Sequence, residues 1–68
     1  MPRFGGYDPV GVAHGTAVAG NPGLWLITGG RLFLFYDRAR LETFAADAER
    51  INSAAERNWP DVLRTLSP

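Results

Sequence analysis

Chemistry in this chain of 68 residues has to come from few side chains. Histidine is the side chain whose ordinary titration falls near neutral pH, so His14, the single histidine, is the natural candidate for a base or a metal ligand. The nearest carboxylate in sequence is Asp8, across a stretch rich in Pro and Gly. With Asp37 these two would make an oxygen and imidazole set for a hard or borderline ion, but three loop positions with no spacing signature do not define a site. Asp8 and His14 therefore stand only as an alternative metal site. The structural reading beside it makes His14 an exposed turn residue and Asp8 the initiator of an Asp-Pro turn whose carboxylate satisfies loop amides. With no cysteine, disulfides and thiolate sites are excluded. No nucleophile with a base, no phosphate-cradling loop and no spaced carboxylate pair is present, so the chain is expected to be neither an enzyme nor a holder of a cofactor.

The aromatic residues pose a second question. Tyr7, Trp25, Tyr36 and Trp59 would frame a pocket if they converged, although in so small a domain most aromatics must build the core. Tyr36 closes an apolar run, and Arg40, one helical turn later, falls on the same side, within reach of Asp37 or an acidic partner. Tyr36, Arg40 and Tyr7 are the candidate ligand-binding residues.

The elements that must position these groups are unequally legible. Leu24 to Thr28, then Gly29-Gly30, then Arg31 to Tyr36 reads as two strands joined by a two-residue turn in which both glycines take positive φ. Alternation puts Trp25 and Ile27 on one face and Leu24 and Leu26 on the other; in the second strand it separates Phe33 and Phe35 from Leu32, Leu34 and Tyr36. Both faces are apolar, yet the remaining chain supplies helix for one layer only, so the other face calls for a second subunit or a ligand. Before the hairpin, Val10 to Ala13 and Thr16 to Ala19 suggest brief strands with His14-Gly15 as their turn. After it, Asp37 stands as an N-cap, and Leu41, Phe44, Ala45, Ala48 and Ile51 recur at helical spacing. Asp47 is placed to cap a second helix from Ala48, and residues 38 to 57 read equally as one helix or two. Asn58-Trp59-Pro60 is expected to end the helical run, with Pro60 opening a last turn.

The fold class is thus α+β: a small antiparallel sheet centred on residues 24 to 36, packed against one or two C-terminal helices. Its expected core is Trp25 or Ile27 with Phe33, Phe35, Leu41, Phe44 and Ile51. Residues 1 to 68 make a single domain, short enough that its core is marginal without a staple. Seven arginines against seven acidic residues leave no net charge, which argues against nucleic acid as a partner. No apolar run approaches the ~20 residues of a membrane span, and no signal-like h-region opens the chain, so a cytoplasmic protein is expected.

The glycine-led strand Gly30-Arg31-Leu32-Phe33-Leu34-Phe35-Tyr36-Asp37, the capped helix carrying Phe44 and Asp47, and Tyr7-Asp8-Pro9-Val10 ahead of them together resemble the YHS family of small, often metal-associated domains. Asn58-Trp59-Pro60 is similar to the tail of a longer subgroup. In that family, cysteines follow Asp-Pro-Val, follow the last strand aromatic, and recur four residues further on; here Gly11, Tyr36 and Arg40 hold those places. The resemblance implies the architecture, while the missing thiols imply loss of its soft-metal chemistry. The function expected is a non-catalytic interaction module that self-associates, a dimer being favoured, and binds a protein partner or small apolar ligand; the alternative is metal or metallocofactor binding through non-thiol ligands.

Overall fold

The computed structural model describes residues 1 to 67. A short 3-10 turn over Arg3–Gly6 leads into helix α1 (Pro9–Ala13), hairpin β1 (Asn21–Thr28) and β2 (Arg31–Phe35), then helices α2 (Arg38–Ala46) and α3 (Ala48–Leu66). This is the α+β arrangement of a two-stranded antiparallel sheet with C-terminal helices.

The hairpin closes as its sequence demands. Gly29 and Gly30 have φ of 58° and 73°, the left-handed pair that matches the twist of the flanking strands. Trp25 pairs with Leu34 and Ile27 with Leu32 on one face, and Leu26 with Phe33 on the other. β1 starts earlier than expected, at Asn21, which pairs with Phe35 across an irregularity spanning Pro22 to Leu24. β2 ends at Phe35, so Tyr36 lies just beyond the strand.

All helices lie on one side. Phe33 and Phe35 face Phe44 of α2, with ring centroids 4.6 and 5.3 Å apart, and Ile51, Ala55 and Val62 of α3 and Val10 and Val12 of α1 complete the buried cluster. Leu41 packs against its margin. Trp25 and Ile27 do not belong to it: they are 56% and 61% exposed, on the face that no helix covers. Leu24 and Leu26, on the opposite parity, touch the core instead.

The region before the hairpin is not a pair of strands. Asp8 caps α1 and Pro9 occupies its first turn, the position where a missing N–H and a fixed φ cost least, so the Asp-Pro signal opens a helix. Gly15, at φ 86°, ends that helix, its amide bonded to the Val12 carbonyl and that of Thr16 to Gly11. This pair of hydrogen bonds is the Schellman stop, so His14-Gly15 terminates a helix where a hairpin turn was expected. Of the second expected strand, a single bridge between Tyr7 and Ala19 remains.

Further along, Asp47 breaks the helical run with φ −156° and ψ 53°, giving two helices, though its carboxylate pairs with Arg50 and caps no amide. Asn58-Trp59-Pro60 does not stop α3, which continues to Leu66 with Pro60 inside it. Tertiary contacts override the local penalty. Asn58 donates to the Val12 and Ala13 carbonyls at the end of α1, Trp59 packs edge-on against Phe4, and Val62 is buried beyond the proline. Pro60 itself is exposed, on the side where water can serve the Glu56 carbonyl it leaves without a donor. Among the described residues, no helix is long and apolar enough to cross a membrane.

Two substitutions test this packing. Phe44→Ala should cost about 3 to 5 kcal/mol against a total of roughly 3 to 10 kcal/mol for a chain this short, giving a largely unfolded variant by circular dichroism; a melt like the parent's would show that Phe44 is not central. Gly20→Ala should be similarly damaging, because a Cβ there would lie 2.5 Å from the Gly6 carbonyl oxygen and 2.6 Å from Leu34 Cβ. Loss of the transition in urea is the expected reading.

Candidate functional site

Asp8 is fully buried, and its carboxylate accepts three hydrogen bonds, each from a backbone amide. Its Oδ1 accepts from the amides of Val10 at 2.8 Å and Gly11 at 3.1 Å, and its Oδ2 accepts from the amide of Tyr36 at 2.7 Å. Its own amide donates to the Val18 carbonyl at 2.7 Å. One carboxylate thus fastens the start of α1 to the end of β2.

Gly11 and Tyr36, two of the three positions where the resemblance would place thiols, are therefore joined through Asp8. The third joins them through a ring. The Arg40 guanidinium lies 5.1 Å from the centroid of Tyr36 and also donates to Asp37 Oδ2 at 2.8 Å. Asp37 Oδ1 meanwhile accepts from the Arg40 amide at 2.9 Å, which is the expected N-cap of α2. Gly11 has little room for a side chain: a Cβ would meet Val18 Cγ2 at 3.2 Å and Val18 Cβ at 3.3 Å.

Tyr7 belongs to another neighbourhood. Its ring lies 6.3 Å from that of Trp59, which packs in turn at 5.6 Å against Phe4, itself buried in the left-handed region at φ 56°. Neither tyrosine nor Arg40 lines any of the three main clefts. His14 is exposed at the end of α1 and edges a cleft of about 310 Å³ with Thr43, Arg50 and Ile51. Among the described residues, no group of three or more His, Cys, Asp or Glu is arranged to hold a metal ion.

The largest cleft lies on the uncovered face of the hairpin. It measures about 420 Å³ and is lined by Pro2, Pro22, Trp25, Ile27, Leu32 and Leu34, without a charged side chain. A smaller one, about 80 Å³, sits on the opposite side at the turn end of the sheet, between Phe33, Phe44 and the first turns of α3. Asn52, 9% exposed, lines it with an Oδ1 that has no hydrogen-bond partner.

Sequence reasoning did not find Asn52 or the double contact of Asn58. A signal existed for the first. Asn52 follows Ala48 by four residues and precedes Ala55 by three, so helical spacing sets a carboxamide on the buried stripe of α3. No family model, curated protein or solved structure matches the chain.

Asp8→Asn should destabilise the protein by at least about 2 kcal/mol, because three N–H groups converge on both oxygens and a carboxamide has only one acceptor. Chemical denaturation reads the loss directly. An unchanged midpoint would mean that the amides bond elsewhere.

Proposed function

We propose that this chain is a small, non-catalytic, YHS-like interaction module that pairs with a second copy of itself through the outer face of its hairpin. The observation that carries the reading is the exposure of Trp25 and Ile27 on a continuous apolar face. A tryptophan left half in water at the centre of such a surface is the residue type that dominates binding energy at interfaces.

A second copy suits the face for three reasons. The cleft carries no charged side chain and the chain no net charge, so two copies meet without repulsion. Trp25 and Ile27 stand 56% and 61% exposed in the single chain, so pairing would take apolar surface out of water. A domain of this size gains most from such a contact, since its own core is marginal. The expected product is a micromolar dimer.

The resemblance supports a binding role with the soft-metal chemistry replaced. Where the family's thiols would stand, the chain has a glycine with little room for a side chain, and a tyrosine and arginine engaged with one another. The cleft that the ligand reading needs beside Tyr36, Arg40 and Tyr7 is not among the three main ones, so association through the hairpin is the stronger form of the proposal.

Sedimentation velocity from nanomolar to high-micromolar concentration tests it. The parent should move from monomer to dimer, whereas Trp25→Glu and Ile27→Glu should stay monomeric with melts close to the parent's monomer, both positions being exposed in the single chain. A parent that remains monomeric throughout, or variants that dimerise as it does, would remove self-association.

A further inference from the structure

The 80 Å³ pocket at the turn end of the sheet has a composition that packing alone does not explain. Its floor is aromatic, formed by Phe33 and Phe44. Asn52 presents a buried oxygen without a donor, and leaving such a group unpaired in a protein interior is costly. Arg31 and Glu49 stand at its exposed rim, and neither takes part in an ion pair among the described residues. Arg3, Arg40, Arg50 and Arg64 each meet a carboxylate, while Arg31, like Arg38 and Arg57, meets none among the described residues.

Each wall selects part of a ligand. The Asn52 oxygen and the Glu49 carboxylate accept hydrogen bonds, so this side suits an ammonium group. Arg31 supplies a planar donor fork that suits a carboxylate. The two requirements sit on different elements around one small cavity of about 80 Å³, Arg31 on β2 and Glu49 and Asn52 on α3. From this juxtaposition we infer that the pocket binds a small zwitterionic α-amino acid of about the size of glycine, its ammonium toward Asn52 and Glu49 and its carboxylate toward Arg31.

So small a ligand cannot bind tightly, because affinity is bounded by the number of its atoms, and a dissociation constant in the high-micromolar to millimolar range is expected. The pocket opens on the opposite side of the sheet from Trp25 and Ile27, so occupancy does not depend on self-association.

Titration of the full chain, followed by amide NMR shifts, distinguishes the components. Glycine should give saturable shifts at Thr28 to Arg31 and Ala48 to Asn52, and the same shifts in the monomeric Trp25→Glu variant. Arg31→Ala, at an exposed position, should weaken glycine roughly tenfold while leaving the weaker binding of methylammonium unchanged. Glu49→Gln should do the reverse, weakening methylammonium and leaving the response to acetate. Asn52→Leu should fill the pocket, abolish binding and keep a cooperative melt. If Asn52→Leu does not fold, the Arg31 and Glu49 variants decide. The inference is overturned if glycine gives no saturable shift at tens of millimolar, or if its shifts are the same in the parent, Arg31→Ala and Glu49→Gln.

Discussion

The fold depends on one buried carboxylate. Asp8 collects the first amides of α1 and the amide that follows β2, the latter 28 positions away from it in sequence. Hydrogen bonds to an ionised acceptor are stronger than those between neutral groups, and here they act where water is excluded. Without disulfide or thiolate metal site, this is the nearest thing the chain has to a staple. It also explains why so short a helix as α1, with only five residues, persists: both ends are held from outside, by Asp8 at its start and by Asn58 and the Gly15 turn at its finish.

From that fastening follows the unequal treatment of the two sheet faces. Fixing the end of β2 to α1 brings α1, and α3 with it, onto the side of Phe33 and Phe35. The aromatic cluster then fills that side. Among the described residues no helix covers Trp25 and Ile27, so an apolar strip is left in water that ordinary core formation would have consumed. The exposed face is a consequence of where the short chain spends its helices.

What was legible in the sequence divides along the same line. The hairpin, its Gly29-Gly30 turn, the Asp37 cap and the burial of Phe33, Phe35, Phe44 and Ile51 depend on local signals and strong periodicity, and they were read correctly. The uncovered face was also readable, though which residues occupied it was not: alternation separates Trp25 from Leu24 without saying which side faces the helices. Val10 to Ala13 reads as strand because Val and Ala are compatible with either state, and the deciding contacts come from Tyr36 and Asn58, far away in sequence. Pro60 misled for the converse reason, since a strong local rule yielded to the anchoring of residues on both sides. At the candidate sites, the approach of Arg40 to Tyr36 follows from helical spacing, and the reading of Asp8 as an acceptor for loop amides agrees with its three backbone bonds, whereas the one from Tyr36, far away in sequence, has no local signal.

The contacts of α3 carry a consequence for how the protein is made. Arg3 meets Glu56, Phe4 meets Trp59, and the end of α1 is closed by Asn58, so the first element of the chain is completed by nearly the last. Such pairings close large loops, and their entropy cost falls before any contact repays it. An emerging polypeptide would therefore hold its hairpin and α2 as local structure while its opening residues stay without partners. Assembly of the whole domain waits on α3, whose residues 56 to 59 complete the contacts of the first elements.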